Sequence, residues 1–239
     1  MSTQAQPTGL SILIPVYDEE ATIYELLRRV AAADVPLELE VLVVDDGSAD
    51  GTAAEIERFG RDHPELVLVF HRHPQNRGKG AAVRTALSLA TRDLVLIQDG
   101  DLEYHPKDYP QLLEPLLDGR ADAVFGSRFL GGPHRVLYFW HMVANKSLTL
   151  ISNMMTNFNL TDMEVCYKAM WRHVALSLDL QSERFGIEPE ITAKLARGGW
   201  RLYEVPVSYA GRSYEEGKKI TWHDGAAALG HILRHRFLP

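Results

Sequence analysis

The sequence has few of the features that mark secreted, membrane-spanning or nucleic-acid-binding proteins. A single cysteine, Cys166, cannot form an internal disulfide, so nothing indicates an oxidising compartment. The polar N-terminus lacks a signal-peptide pattern, and the longest apolar run near the middle, Val136 to Trp140, is far shorter than the roughly 20 residues of a membrane span. The net charge of −7 offers no basic field to nucleic acid. These absences predict a cytoplasmic protein with no nucleic-acid partner.

The composition is that of an ordinary folded domain. Of the 239 residues, 46% are hydrophobic and 24% are charged, which excludes disorder and a collagen-like structure and allows a full core. No low-complexity linker or internal repeat divides the chain. We therefore predict a disordered N-terminus over residues 1–9, one domain over residues 10–220, and a C-terminal helix over residues 221–239.

Two hydrophobic periods alternate along the first half of the chain. Short runs rich in β-branched residues predict strands buried on both faces, and the stretches between them have helical spacing. The predicted strands are Leu10–Val16, Leu39–Val44, Leu66–Phe70, Leu94–Ile97 and Ala121–Phe125. The predicted helices are Glu20–Ala33, Thr52–Phe59, Ala81–Ala90 and Asp108–Leu117. This alternation predicts an α/β fold in which a mostly parallel central sheet is flanked by helices.

The pattern is less regular in the second half. Residues 134–157 and 187–197 predict helices, and Trp200–Tyr209 alternates like a strand. The aromatic run Tyr138–Trp140 favours a place in the core, with contact to a lipid tail or a bilayer surface as the alternative. Cys166, between two apolar residues, favours packing rather than nucleophilic chemistry.

Polar segments occur at four strand ends in the predicted sheet. They are residues 15–20, 45–48, 76–80 and 98–103. Taken alone, each has a simple explanation as a turn or a helix cap. The third segment, which contains Gly78-Lys79-Gly80, has neither the Walker spacing nor the dinucleotide fingerprint. Because ligands of parallel sheets bind outside the carboxyl ends of the strands, these segments are the candidates for chemistry.

Two carboxylates at the end of the fourth strand suggest a metal site. Asp99 and Asp101 flank Gly100, and such neighbouring carboxylates repel each other unless a cation lies between them. Oxygen ligands suit Mg²⁺ or Mn²⁺, and Glu103 could be a third ligand. Together with the cation of Lys79, the site would suit a pyrophosphate. The alternative is a solvated acidic turn.

The motifs SILIPVYDEE, VLVVDDGSADGT, NRGKGAAVRTAL, QDGDLEYHP and GSRF resemble, in this order, those of family 2 glycosyltransferases with the A-type fold. Within that family the sequence is most similar to the polyprenyl-phosphate sugar transferases, the dolichol-phosphate mannose synthase-like branch. The stretches 161–168 and 211–214 support this placement. The resemblance implies a single nucleotide-binding, Rossmann-like catalytic domain over residues 10–220.

The resemblance further implies a nucleotide-sugar donor, linked to UDP or GDP, and a divalent metal ion. Residues implied in donor binding are Pro15, Tyr17, Glu19, Asp46, Gly78, Lys79, Asp99 and Gly100. Among them, Asp46 would bind the base or the ribose, and Lys79 would help to seat the nucleotide. The implied metal ligands are Asp99, Asp101 and Glu103, with Asp101 the most direct.

On the acceptor side, the resemblance implies that Arg128 neutralises a phosphate near the reaction centre and that Asp162 lines the acceptor site. Arg212 and Lys218 lie where this branch carries a phosphate-binding loop. The implied reaction inverts the anomeric centre. A polyprenyl phosphate is already anionic and needs little or no base, whereas a hydroxyl acceptor would need a carboxylate.

For a hydroxyl acceptor, Asp162 is the candidate base. Glu188 and Glu190 are reserves, although acidic residues are also common at a helix N-terminus. The sequence argues against two further functions. A silent nucleotide-sugar-binding protein has less need of a leaving-group metal, and a sugar-1-phosphate nucleotidyltransferase would have a glycine-rich first loop, which residues 15–19 are not.

The sequence leaves open the sugar, the nucleotide, the choice between Mg²⁺ and Mn²⁺, and the oligomeric state. Residues 226–238 could form an amphipathic helix on an anionic membrane or a helix docked on the domain. Membrane contact, if present, is expected to be peripheral, at the inner face.

Overall fold

A seven-stranded sheet forms the centre of the protein, in the strand order β3-β2-β1-β4-β6-β5-β7. The computed structural model describes residues 6–212 except 132, 137 and 185. The strands are β1 Gly9–Val16, β2 Glu38–Asp45, β3 Val67–Arg72, β4 Leu94–Ile97, β5 Ala123–Ser127, β6 Lys168–Trp171 and β7 Leu202–Pro206. The helices are α1 Ile23–Ala31, α2 Thr52–Asp62, α3 Lys79–Leu89, α4 Tyr109–Leu117, α5 Phe139–Thr156, α6 Arg172–Ser177 and α7 Ile187–Gly198. A short 3₁₀ turn, Pro106–Asp108, precedes α4.

The prediction of a mostly parallel sheet is confirmed. Strands β1 to β4 are mutually parallel, and β7 runs parallel to β5, whereas β6 is antiparallel to both of its neighbours. The sequence analysis did not separate β6, because it has only four residues and begins with Lys168. After β1 the chain first extends the sheet on one side and then returns to add β4 on the other. This reversal places the ends of β1, β2 and β4 together, which is where open α/β sheets bind ligands.

The core lies on both faces of the sheet. All eight residues of β1 are buried, and α1 covers one face with Ile23, Leu26, Leu27 and Val30, the residues that its spacing predicted. The prediction of a strand buried on both faces is wrong for Leu66–Phe70. Because β3 is an edge strand, its residues are only partly buried or exposed.

Helix α5 is the element that departs most from expectation. It was predicted over residues 134–157 and begins at Phe139, after a bridge between His134 and Tyr209. The prediction that Tyr138–Trp140 is core is wrong, since the exposed fraction is 62% for Phe139 and 75% for Trp140. The fully buried residues of α5 are Thr149 and Ser152, and the partly buried Leu148, Ile151 and Met155 beside them pack against the hydrophobic core.

Further apolar side chains lie on the outer surface of α5, namely Met142, Leu150 and Met154. In the described part of the chain, no helix combines the length and the apolar character needed to cross a membrane. At the other end of the chain, Thr8 binds Asp93 with its N–H and its hydroxyl just before β1 begins. Residues 1–5, Lys218 and the predicted helix over 221–239 lie outside the described residues.

Candidate active site

The loops after β1 and β2 are tied together by hydrogen bonds. The Asp18 N–H donates to Ser48 Oγ at 2.9 Å, and the Ala49 N–H donates to Asp18 Oδ1 at 2.9 Å. The Glu19 N–H donates to Thr52 Oγ1 at 2.8 Å, which anchors the first loop on the start of α2. The polar segments after β1 and β2, which the sequence analysis identified separately, therefore form one structural unit at the carboxyl ends of the strands.

Asp46 organises the next loop. Its carboxylate accepts the N–H groups of Arg77 and Gly78, and its Oδ1 lies 2.7 Å from Nδ1 of His73. Because a carboxylate only accepts hydrogen bonds, the imidazole N–H faces it. Nε2 of His73 lies 3.0 Å from the hydroxyl of Thr85 in α3. Asp46 is buried, and its hydrogen bonds among the described residues are made to other parts of the protein. Its predicted contact with the base or the ribose stays a prediction.

Gly78 and Gly80 leave space for a neighbouring segment. A Cβ on Gly78 would collide with the carbonyl of Glu183, and one on Gly80 with that of Ser182. The Ala81 N–H, in the first turn of α3, donates to Glu183 O at 3.0 Å. Close packing of this segment on α3 is thus enough to explain why glycines occupy positions 78 and 80. The donor contact of Gly78, which the resemblance implies, stays a prediction.

Lys79 lies at the centre of a buried ion-pair chain. Its Nζ is 2.8 Å from Asp99 Oδ1 and 2.8 Å from Glu188 Oε1. Burial alone would lower the pKa of Lys79, but the carboxylates of Asp99 and Glu188, together with Cys166, raise it well above its ordinary value. Lys79 is therefore a fixed cation between the end of β4 and the start of α7.

Asp101 lies in a crowded acidic corner beside Arg212. Burial, Asp99 and Glu103 raise the pKa of Asp101 to about 7, against the opposing effect of Arg212. The guanidinium of Arg212 donates from Nη2 to Asp101 Oδ2 at 2.8 Å and contacts Glu19 with both amino groups at 3.1 and 3.2 Å. The loops after β1 and β4 and the segment after β7 thus meet at the guanidinium of Arg212.

Both carboxylate oxygens of Glu103 accept hydrogen bonds from the segment after β7. Its Oε1 accepts the backbone N–H of Arg212 at 2.7 Å, and its Oε2 accepts the hydroxyl of Tyr209 at 3.0 Å. Both oxygens thus hold the chain after β7, and this competes with the predicted metal contact of Glu103.

The donor set at this corner fits a divalent ion that binds together with a diphosphate. Among the described residues, no three His, Cys, Asp or Glu side chains form a cluster that could hold a metal ion. Mg²⁺ commonly takes one or two carboxylates and completes its shell with substrate phosphates and water. Asp99 and Asp101 provide such a pair, and the crowding that raises the pKa of Asp101 is what a cation would relieve.

Arg128 and Asp162 form the second charged centre. Nε and Nη2 of Arg128 each donate to Asp162 at 2.7 Å, and the backbone N–H of Arg128 adds a third bond at 3.1 Å. Asp162 is fully buried, and its own N–H donates to Glu204. Burial would lower the pKa of Arg128, but Asp162 holds it well above the ordinary value. Asp162 therefore fixes Arg128, and this position does not suit the predicted general base.

Comparison with known proteins identifies the family of the chain. The sequence profile of Glycosyl transferase family 2 matches residues 11–177. The chain belongs to this family. It is therefore a glycosyltransferase, and the predicted resemblance to the polyprenyl-phosphate sugar transferases is confirmed.

Two curated relatives illustrate the likeness of this glycosyltransferase to that branch. The polyprenol monophosphomannose synthase of Mycolicibacterium smegmatis is 29% identical over 208 residues, covering 84% of this chain and 77% of the relative. An undecaprenyl-phosphate 4-deoxy-4-formamido-L-arabinose transferase of Aeromonas hydrophila is 31% identical over 217 residues, covering 90% of this chain. The chain spans only 64% of that second relative.

A solved structure shows the same fold. Glucosyl-3-phosphoglycerate synthase of Mycobacterium tuberculosis, in complex with Mn²⁺, uridine diphosphate and phosphoglyceric acid, superposes with a TM-score of 0.74 at 20% sequence identity. The match covers 97% of this chain and 80% of the other. The predicted A-type glycosyltransferase fold is thereby confirmed.

The remaining predicted residues of the glycosyltransferase are distributed around the two centres. Pro15 is buried at the end of β1, and Tyr17 beyond it is 39% exposed. Gly100 packs closely on Val16, where a Cβ would lie 3.0 Å from that side chain. Glu190 is fully buried and accepts the N–H groups of Gln181 and Ser182, both at 2.7 Å, so its contacts are structural.

Sequence reasoning missed Glu164 and Lys168. Lys168 is buried and donates to the carbonyls of Met163 and Val165. Oε1 of Glu164 and Oε2 of Glu188 are buried without a hydrogen-bond partner among the described residues. Burial and then Glu188 raise the pKa of Glu164 to about 7. Glu164 lies in the stretch 161–168 that supports the resemblance, but neither periodicity nor a motif assigned it a role. Only the fold brings it near Glu188.

Proposed function

We propose that this glycosyltransferase transfers a sugar, with inversion, from a UDP- or GDP-linked donor to a polyprenyl phosphate, with Mg²⁺ or Mn²⁺ as the cofactor. The observation that best supports this proposal is the bidentate ion pair between Arg128 and the fully buried Asp162. It presents a fixed cation at the end of β5 and engages the carboxylate that a hydroxyl acceptor would have needed as a base. A phosphate monoester is anionic at pH 7 and needs a cation rather than a base.

The donor side supplies charge where the leaving group develops it. Departure of the sugar leaves a nucleoside diphosphate whose negative charge grows in the transition state, and fixed positive groups stabilise such charge without reorganisation. Lys79 is held by Asp99 and Glu188, and Arg212 lies beside Asp101. A divalent ion held by Asp99 and Asp101 would supply Lewis-acid stabilisation of that diphosphate.

Arg128 would orient the acceptor. Its Nε and Nη2 bind Asp162, and Nη1 takes part in neither bond, so this amino group can donate to a phosphate. The ring of Tyr209 lies 5.2 Å from the guanidinium carbon and belongs to the same stretch of chain as Arg212. The acceptor and donor centres are therefore linked through the residues that follow β7.

An apolar surface adjoins Arg128 and suits a lipid acceptor. The ring of Phe129 lies 5.7 Å from the Arg128 guanidinium and 4.0 Å from Nζ of Lys146 on α5. From there, the exposed side chains of Phe139, Trp140, Leu150 and Met154 line the outer surface of α5. Residues 129–161 contain no Asp or Glu, although the whole chain carries a net charge of −7. An apolar surface without acidic residues favours peripheral contact with an anionic membrane, which we place at its inner face.

The test is a transfer assay with purified protein, a panel of UDP- and GDP-sugars, Mg²⁺ or Mn²⁺, and a short water-soluble polyprenyl phosphate. Mass spectrometry should detect a glycosylated lipid phosphate that disappears with EDTA. The matched control is Arg201→Gln, because Arg201 pairs with Asp122 at an exposed site. This variant should transfer the sugar as fast as the unmodified protein. Donor hydrolysis without a lipid product would contradict the acceptor assignment.

A hydroxyl acceptor is the second candidate, and the buried environment of Glu164 favours it. Its pKa is raised to about 7, and its buried Oε1 has no hydrogen-bond partner in the part of the chain that the structure describes; both are properties of a carboxylate able to accept a proton. In this case Glu164→Gln should abolish transfer to a hydroxyl acceptor. If transfer to the polyprenyl phosphate persists in the same variant, the phosphate acceptor is supported.

A further inference from the structure

The Arg212 guanidinium lies among three carboxylates of the proposed donor site. Its Nη2 contacts Asp101 Oδ2 at 2.8 Å and Glu19 Oε1 at 3.1 Å, while its Nε lies 3.6 Å from Glu103 Oε1. One guanidinium thus faces three carboxyl groups at once. All four side chains are largely shielded from solvent, with exposed fractions between 8% and 22%. In such surroundings, charges interact more strongly than in water.

The backbone that carries Arg212 is anchored independently of its side chain. We call residues 207–212 the strap. The Val207 N–H donates to Ser127 O at 3.0 Å, the Ser208 N–H donates to Asp108 Oδ2 at 2.8 Å, and the Ala210 N–H donates to Glu103 O at 2.8 Å. The N–H of Arg212 itself donates to Glu103 Oε1 at 2.7 Å. The guanidinium can therefore leave Asp101 by side-chain rotation while the strap stays in place.

Asp101 cannot serve the guanidinium and a divalent ion equally well through the same oxygen. Its Oδ1 accepts the N–H of Glu103 at 3.0 Å, and its Oδ2 is the atom that Arg212 contacts. A metal ion that binds Asp101 through Oδ2 must compete with Arg212. A diphosphate that arrives with the metal offers the released, planar guanidinium a bidentate partner of its own.

We propose that Arg212 holds the place of the divalent ion in the donor-free enzyme and moves from Asp101 and Glu19 to a donor phosphate when the metal–nucleotide complex binds. This inference rests on the proposed function and deepens it. It makes Arg212 a donor-side residue, in contrast to the acceptor-phosphate role that the sequence suggested. It also predicts that metal and nucleotide bind cooperatively, because each relieves the cost that Arg212 imposes on the other.

Binding of Mn²⁺ alone tests the proposal without any turnover. Free Mn²⁺ would be followed by electron paramagnetic resonance in titrations of the full chain, with and without UDP or GDP. We expect Arg212→Gln to bind Mn²⁺ without nucleotide about tenfold more tightly than the unmodified protein, within the usual range of coupling between sites. The added effect of the nucleotide on Mn²⁺ affinity should shrink in the same variant. Arg201→Gln, outside the site, should behave like the unmodified protein.

An Arg212→Gln protein that binds Mn²⁺ alone no better than the unmodified protein overturns the inference. If Arg212→Gln does not fold, as judged by thermal melting, Arg212→Lys replaces it, since a lysine loses the fork to Glu19 and should give an intermediate gain in affinity. If the unmodified protein binds no Mn²⁺ with either nucleotide, the metal-dependent donor chemistry fails as well. If it binds Mn²⁺ with a nucleotide but Arg212→Gln shows no gain, only the role of Arg212 fails.

Discussion

Arg128 and Asp162 are 34 residues apart in the chain and share a two-pronged ion pair with both bonds at 2.7 Å. Arg128 follows the last residue of β5, and Asp162 lies in the loop between α5 and β6. The pair therefore connects the sheet to the segment that carries the exposed apolar helix. Fixing a cation in this way reduces the side-chain entropy that is lost when an anionic acceptor binds.

We expect Asp162→Asn to lower kcat/KM by an amount that corresponds to a loss of about 2–4 kcal/mol of transition-state stabilisation. The reason is that Arg128 would lose the partner that fixes it near developing charge. The acceptor KM should rise more than the donor KM, measured with the short polyprenyl phosphate. Stability should also fall, since removing one partner leaves a buried charge uncompensated. The matched double variant Arg128→Met/Asp162→Leu should regain stability without regaining activity. Recovery of activity in the double variant would show that the pair is only structural.

The fold was largely predictable because its signal is local. The strands and helices of the first half recur in the structure with shifts of a few residues, since apolar periodicity reports which face of each element is buried. The signal weakened at β6, whose four residues begin with a buried lysine, and at α5, where several large apolar side chains are exposed. An apolar residue indicates burial only when a neighbouring element covers it, and the sequence does not show that neighbour.

The site was predictable as a set of loops and much less so as a set of contacts. Lys79 and Asp99 were selected separately and are joined at 2.8 Å. By contrast, no sequence pattern assigned a role to His73, which contacts Asp46, or to Glu164. Their partners lie 27 and 24 positions away in the sequence, so only the three-dimensional arrangement reveals them.

Glu164 predicts a pH dependence of stability. Burial and Glu188 raise the pKa of Glu164 from 4.5 to about 7, with Lys168 and Arg128 opposing and Asp162 contributing to the rise. The folded protein therefore binds this proton more tightly than the unfolded chain does. The stabilisation by the protonated form is complete below about pH 4.5 and is lost as the pH rises through 7.

Replacing Glu164 by glutamine should remove this dependence. We expect the unfolding free energy of Glu164→Gln, relative to that of the unmodified protein, to rise by about 1–3 kcal/mol between pH 5 and pH 8, because the glutamine has no proton whose binding differs between the folded and the unfolded chain. Urea denaturation at the two pH values measures it. Glu114→Gln, at an exposed site, serves as the control and should show no such gain. Parallel pH profiles for Glu164→Gln and the unmodified protein would contradict the prediction.

Gly78 and Gly119 form a matched pair for separating backbone strain from steric collision. Both have positive φ, at +97° and +77°, but a Cβ would collide with Glu183 at Gly78 and would meet nothing within 4 Å at Gly119. Gly119→Ala should cost about 1 kcal/mol of stability from strain alone. Gly78→Ala should cost more and should raise the donor KM, because Lys79 follows it directly. Equal losses of stability in thermal melts would show that the segment at Ser182–Arg184 yields without cost.

The outer surface of α5 should bind membranes without contributing to the fold. Because Phe139 and Trp140 are mostly exposed, Phe139→Ser and Trp140→Ser should leave the unfolding free energy within about 0.5 kcal/mol of the unmodified value. Both should reduce sedimentation with phosphatidylglycerol vesicles and slow transfer to a long-chain polyprenyl phosphate in those vesicles. Transfer to the short water-soluble acceptor should be unchanged, since Arg128 and Asp162 are intact. Leu176→Ser on α6, at a residue that is 43% exposed, should affect none of these measurements. A loss of stability in the α5 variants, with vesicle binding unchanged, would instead mean that another part of the protein covers this surface.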